Sequence, residues 1–317
     1  MTLIDLRHRA EYGLVLALRT AVTVLPGAVA RGLGSMIGLT FYAADRAHRQ
    51  LAVRQLLSAF PTRSEEECRA IARATFAHFG RLLVTVLRTT TRTRDQMRAE
   101  VEFEGEDRIR TALSAGKGVI VFSGHFGYWE LQGLAHALVL PPMSVLARQL
   151  DNPYLHDLLE KSRTATGNRV IYRQGALRRV LRALNANEAV AILIDQHIHG
   201  ADAVKVDFFN RPAATTSALA SLALRTGAPL VPAFALPLEN GRYRLVYEHP
   251  VELPAAGSPD PVKVLTQRCT DVLEMYVRRH PHLWLWMHRR WRDRQIPEAT
   301  RPEMRPSIVP GERESLE

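Results

Sequence analysis

Gly118-Val119-Ile120-Val121-Phe122-Ser123-Gly124-His125-Phe126-Gly127-Tyr128-Trp129-Glu130 is the stretch that decides the fold. Its first five residues carry no polar side chain and read as a buried strand; residues 126–138 read as the helix that follows. His125 therefore falls at a strand-to-helix junction, with Glu130 about one helical turn further on. A neutral imidazole is the usual group to take the proton of an attacking hydroxyl near pH 7. A carboxylate on its other ring nitrogen fixes the tautomer and stabilises the imidazolium that forms. Glu130 is the expected carboxylate. Gly124 and Gly127 are expected to let a substrate approach the backbone closely.

Outward from this stretch, strands and helices alternate. Strands are expected at 101–104, 118–122, 143–147, 169–172, 189–194, 204–209, 229–236 and 242–248, and helices at 106–115, 126–138, 153–166, 176–187, 216–225 and 261–280. That alternation predicts an α/β fold with a mixed, largely parallel central sheet flanked by helices. Ligands collect at the carboxyl ends of the strands in such sheets. His125, Arg148 and Asp195 each follow an expected strand, so all three are expected to face one cleft.

Residues 1–98 read as an N-terminal helical region. Ser64 with Glu67 three positions on, after Pro61, is a capping-box pattern that starts a helix running toward Arg88. Segment 12–44 holds only two charges, Arg19 and Arg31. Its longest uncharged run, 32–44, is shorter than the roughly 20 apolar residues of a spanning helix. Pro26-Gly27 splits it, so two short apolar helices in a membrane interface are expected. Arg88, Arg92, Arg94 and Arg98 read as a basic patch beside the catalytic part. The aromatic and basic run Trp284–Trp291 suits a headgroup interface. After Ile296 a tail rich in proline and charge is expected to be disordered.

Four segments together resemble one family. Gly-His-Phe-Gly-Tyr-Trp-Glu at 124–130 is similar to the histidine-x4-glutamate motif of the late acyltransferases of lipid A biosynthesis and of their phosphatidylinositol mannoside acyltransferase relatives. Asp195-Gln196, Thr226-Gly227-Ala228-Pro229-Leu230-Val231-Pro232 and Trp284-Leu285-Trp286-Met287-His288-Arg289-Arg290-Trp291 follow in the family's order. The resemblance spans about residues 51–291. It implies a glycerolipid acyltransferase-like fold, with a catalytic domain over 99–296 and a tail from 297 to 317. It implies an O-acyltransferase that moves a fatty acyl group from acyl carrier protein or coenzyme A to a hydroxyl of a lipid A precursor or a related glycolipid or lysophospholipid. The inner membrane, on its cytoplasmic face, is the implied location.

The resemblance also places Arg163 as the functional arginine that follows the motif, a guanidinium suited to clamping a phosphate. Arg148 is its rival, although Arg148-Gln149 departs from the family's arginine-proline. Asp195, at the end of an apolar strand, would orient the acceptor or brace Arg163, with Gln196 beside it as a substrate contact.

The remaining signals narrow the class. A net charge of +10, with only four lysines among 42 basic residues, suits an anionic partner; no nucleic-acid signature accompanies it. Cys68 and Cys269 lie far apart and form no redox or ligand motif. No cofactor and no metal are expected, since Asp195-Gln196-His197-Ile198-His199 lacks the companions of a zinc site. Ser123 is not in a Gly-x-Ser-x-Gly elbow. A silent lipid-binding protein of the same fold, or a metal-dependent hydrolase, is the alternative reading.

Overall fold

The computed structural model describes residues 2–172 and 175–292; the expected tail 297–317 lies outside them. Helices come first: α1 (Leu3–Val24), α2 (Gly27–Ala44), α3 (Arg46–Ala59), α4 (Glu65–Thr89) and α5 (Arg94–Ala99). The break between α1 and α2 falls at Leu25-Pro26, where proline cannot continue the ladder. Both halves of the Ser64–Glu67 capping box form at the start of α4.

Then β1 (Val101–Glu104), α6 (Glu106–Ser114), β2 (Val119–Ser123), α7 (Trp129–Val139), β3 (Ser144–Ala147), α8 (Pro153–Thr164), β4 (Arg169–Tyr172), α9 (Ala176–Asn185) and β5 (Ala189–Leu193) alternate. They are followed by β6 (Ala203–Asp207), β7 (Pro212–Thr216), α10 (Ala218–Thr226), β8 (Leu230–Pro237), β9 (Tyr243–Tyr247) and α11 (Pro261–Arg279). The main sheet has seven strands in the order β1-β9-β8-β2-β5-β3-β4. From β8 to β4 all neighbours are parallel; β9 runs against β8, and β1 lies parallel to β9 at the edge.

The expected strand at 204–209 does not join this sheet. It forms β6, paired antiparallel with β7 in a separate two-stranded ribbon.

Strand β2, at the centre, is buried along its whole length, as parallel strands covered on both faces require. Ile120 and Phe122 face the core built with α9, α10 and α11; Val119 and Val121 face the core built with α6 and α7. Among the described residues one helix, α4, is long and apolar enough to cross a membrane, and half of its apolar window is buried within the protein. Its Ala72, Phe76, His78 and Leu82 are core. Helix α2 crosses it at very close range. A Cβ at Gly38 would run into the Phe76 carbonyl, and one at Gly80 into that of Gly34.

The expectation for the aromatic segment is overturned. Trp284, Trp286 and Trp291 are buried, as is Arg290, whose guanidinium donates to the Ala214 carbonyl and to Thr215. This run is core, because Phe126 bridges to Trp284 and draws the segment inward. The arginines at 88–98 are tied to the protein's own groups, with Arg94 and Arg98 still exposed: Arg88 donates to the carbonyls of Val22 and Leu25, Arg94 to those of Ala137 and Thr166, and Arg98 to that of Val101, while Arg92 pairs with Glu100.

Candidate active site

Strand β2 ends at Ser123 and α7 begins only at Trp129, so residues 124–128 form a turn rather than the first turn of a helix. This turn is held from three sides. Tyr128 N–H donates to the Ala235 carbonyl at 2.7 Å, Gly127 N–H to that of Leu283 at 2.9 Å, and Leu285 N–H to that of His125 at 3.1 Å. His78, from α4, places Nε2 at 3.1 Å from the Gly127 carbonyl. Gly127 has φ +59°, and a Cβ there would run into the Ala235 carbonyl. A Cβ at Gly124 would press on Leu273 and Asp195. The two glycines thus admit close approach by the protein's own groups, where the sequence suggested a substrate.

The carboxylate on His125 is Asp195, not Glu130. Nδ1 of His125 lies 2.8 Å from one Asp195 oxygen, and the other oxygen accepts the His125 backbone N–H and the Trp284 indole N–H, each at 2.8 Å. A carboxylate only accepts, so Nδ1 carries the proton and Nε2 is left with its lone pair. The Gln196 amide nitrogen lies 3.3 Å from that Nε2. Trp129 packs against the imidazole with ring centroids 5.4 Å apart.

Electrostatics follow from this geometry. Burial acts to lower the His125 pKa, but the charge and hydrogen bond of Asp195, with Glu130 adding to them, outweigh it and raise it above 6.5. Burial likewise acts to raise the Asp195 pKa. The His125 charge and the hydrogen bonds of His125 and Trp284 win, holding this carboxyl below its ordinary value.

Glu130 meets Arg163 instead, through a bidentate pair of 2.5 and 2.9 Å. The pair is largely buried, with side chains 16% and 19% exposed. Burial would lower the Arg163 pKa, and the bond to Glu130 more than offsets this. Asp195 therefore does not brace Arg163, and the Arg163 fork is taken up by Glu130. Arg148 is 85% exposed and lies 3.3 Å from Asp151.

His125, Glu130, Arg148, Arg163 and Gln196 all line one cavity of about 620 Å³, a size suited to a small organic ligand. It opens at the carboxyl ends of β2, β5 and β3, near Ser123, Ile194 and Ala147, and its walls include Val121, Ala191 and Leu134. Asp195 stands behind His125, 3% exposed. Among the described residues no group of three or more His, Cys, Asp and Glu is placed to hold a metal; His197 and His199 contact each other, their rings 4.4 Å apart.

Trp284 is the functional contact that sequence reasoning assigned to a lipid surface. Its signal was chemical: a buried indole N–H needs an acceptor. A polarised imidazole beside a mostly apolar cavity can take a proton from a bound hydroxyl, the chemistry of an enzyme that acts on an apolar molecule.

The comparisons agree with that class. The model of the bacterial lipid A biosynthesis acyltransferase family matches residues 3–293, and the chain belongs to this family. It is 27% identical to the lipid A biosynthesis lauroyltransferase of Escherichia coli over 290 residues, 90% of each chain. It is 26% identical to the palmitoleoyltransferase of the same organism over 281 residues, covering 87% of this chain and 89% of that one. A phosphatidylinositol mannoside acyltransferase of Mycobacterium tuberculosis is 25% identical over 238 residues, 73% of each. The protein is an acyltransferase.

Proposed function

We propose that the protein is a membrane-associated O-acyltransferase that moves a fatty acyl group from an acyl thioester, on acyl carrier protein or coenzyme A, to a hydroxyl of a lipid A precursor or related glycolipid. The observation that carries this reading is the His125 imidazole, tied at Nδ1 to buried Asp195 and presenting Nε2 beside an apolar cavity. In the reaction Nε2 takes the proton of the acceptor hydroxyl as its oxygen attacks the thioester carbonyl carbon. The new C–O bond forms, the tetrahedral oxyanion collapses, the C–S bond breaks, and the leaving thiolate takes the proton back from the imidazolium. General-base assistance is worth roughly 10²–10⁴-fold; positioning in the cavity contributes beside it. Asp195 and Trp284 hold the ring, the Glu130–Arg163 pair shapes the wall beside it, and Gln196 gives way to the acceptor hydroxyl. Arg148, exposed at the mouth, is suited to a donor phosphate.

Location at the cytoplasmic face of the inner membrane follows from the same reading. Leu3, Leu14, Val24, Val29 and Met36 on α1 and α2 are each more than half exposed, an apolar area suited to the bilayer interface. The test is an assay of purified protein with an acyl thioester and an underacylated lipid A precursor, products read by mass spectrometry. Acylated lipid from the wild type, and none from His125→Ala, is expected; no transfer by the wild type sinks the reading.

A further inference from the structure

A second apolar recess lies on the other side of the His125 turn. It is a groove of about 460 Å³ between α2, α4 and the segment after α11, walled by Ile37, Phe41, Phe79, Leu83 and Leu285, with His288 at its inner end. No reaction role assigned above uses it.

Two relationships give it a meaning. Its outer rim is exposed: Phe41 is 61% and Leu83 41% exposed, and Met36, on the same helix as Phe41, is 62% exposed. The groove thus opens at an exposed apolar rim on α2, the helix whose Val29 and Met36 the reading above lays against the bilayer. Its wall stands one ring away from the reacting group. The Phe79 ring packs on Trp129 at 5.5 Å, and Trp129 packs on His125 at 5.4 Å. Leu285 is bonded to the His125 carbonyl, and His288 accepts the backbone N–H of His197, a wall residue of the large cavity. Groove and cavity therefore flank the same turn.

We propose that this groove holds one hydrocarbon chain of the lipid acceptor, while the larger cavity between α7 and the sheet takes the acyl chain of the donor. The proposal rests on the acyltransferase reading, in which two substrates with apolar chains must meet at one Nε2. A chain that stays continuous with the bilayer needs a recess open toward the membrane-facing helix, and the groove has that opening. The donor arrives on a water-soluble carrier and suits the recess that lies under the strand ends. Burying methylenes out of water supplies the affinity, and the Asp45–His48 pair on the groove wall, 2.7 Å apart, gives the acceptor a polar edge.

The experiment measures KM for acceptor and for donor separately, using the full chain in detergent micelles with an underacylated lipid A precursor. Leu83→Glu puts a charge on the groove wall at a half-exposed position. It should raise the acceptor KM about tenfold, equivalent to about 1.4 kcal/mol, and leave the donor KM in place. Phe41→Ser, on the opposite wall and more exposed, should do the same more weakly and covers the case in which Leu83→Glu does not fold. Leu253→Glu is the control: an equally exposed leucine that lines neither recess. An acceptor KM within about twofold of wild type in both groove variants, or equal rises for donor and acceptor, overturns the inference. A wild type that transfers nothing overturns the acyltransferase reading instead.

Discussion

Asp195 accepts two hydrogen bonds from His125, one from the ring and one from the backbone N–H, although 70 residues separate them. The double contact fixes both the plane of the imidazole and the turn that carries it. The indole of Trp284 closes the set on the same carboxylate. A buried carboxylate with three donors has no need of a proton, so it stays charged and keeps Nε2 basic. Orientation, tautomer and basicity of the ring thus come from one side chain.

A pH profile tests that coupling. Because Asp195 holds the His125 pKa above 6.5, the neutral base is lost at higher pH than for a free imidazole, and the acid limb of kcat/KM should lie above 6.5. In Asp195→Asn the charge is gone and burial, which lowers the pKa, prevails; the limb should move below 6.5 while the maximal rate drops by about 10²–10⁴-fold. An unmoved limb in Asp195→Asn would show that another group sets it. The sign for stability is opposite for the two partners. The His125 share is full below its unfolded pKa and lost as pH rises through the raised folded one. The Asp195 share is present above its unfolded pKa and lost as pH falls through its lowered folded one.

The Glu130–Arg163 pair is expected to act through the fold as much as through the chemistry. Removing one partner leaves a largely buried charge alone, at a cost of about 3–5 kcal/mol for a fully buried pair and less at this exposure. Glu130→Ala should therefore lower the urea midpoint, and Glu130→Gln with Arg163→Met together should recover much of the loss. Arg163→Lys keeps the charge but loses the fork and should restore only part of the activity. A Glu130→Ala variant of wild-type stability and undiminished transfer would rule out both roles.

The fold was legible where local pattern decides it. The apolar runs at 118–122 and 189–194 became the adjacent central strands β2 and β5, and the Pro26 break and the Ser64 cap fell where the residues put them. Strand β7 was not legible, because Pro212-Ala213-Ala214 opens it without a strand-favouring side chain and Thr215-Thr216 lie where the following helix was expected to start. The site was half legible. The other five expected residues line or back the same cavity as His125, yet the partners were crossed. Spacing suggested Glu130 for the ring, but α7 starts at Trp129, so His125 and Glu130 never share a helical face. Asp195 reaches the ring only because β5 lies next to β2, a relation no local window contains. The Trp284–Trp291 run misled for a similar reason: aromatic and basic residues interleave at interfaces and also around a buried arginine, and only the bridge to Phe126 distinguishes the two.

Gly127→Ala measures how tightly the turn is held. The substitution places a Cβ at φ +59° against the Ala235 carbonyl, combining backbone strain of about 1–3 kcal/mol with overpacking of about 1–3 kcal/mol. Chemical denaturation should show a loss of at least about 2 kcal/mol, and what folds should transfer poorly because His125 sits two residues away. A loss within about 0.5 kcal/mol would mean that the turn relaxes freely and does not fix the ring.

Membrane attachment is better probed by point changes than by truncation. Removing residues 1–44 would strip α2 from α4, exposing the surface around Gly80 that Gly34 and Gly38 cover, and misfolding would obscure the result. Leu14 and Met36 are 73% and 62% exposed, so a charge at either leaves the core untouched. If these residues enter the bilayer interface, each loses up to about 1.5–3 kcal/mol of apolar transfer on substitution. Leu14→Glu with Met36→Glu should then weaken binding to anionic liposomes by tenfold or more, since about 1.4 kcal/mol is a factor of ten. Flotation at rising salt separates this loss from the arginine-borne attraction to anionic headgroups, which salt screens. Binding by the double variant equal to wild type at high salt would show that α1 and α2 do not enter the interface.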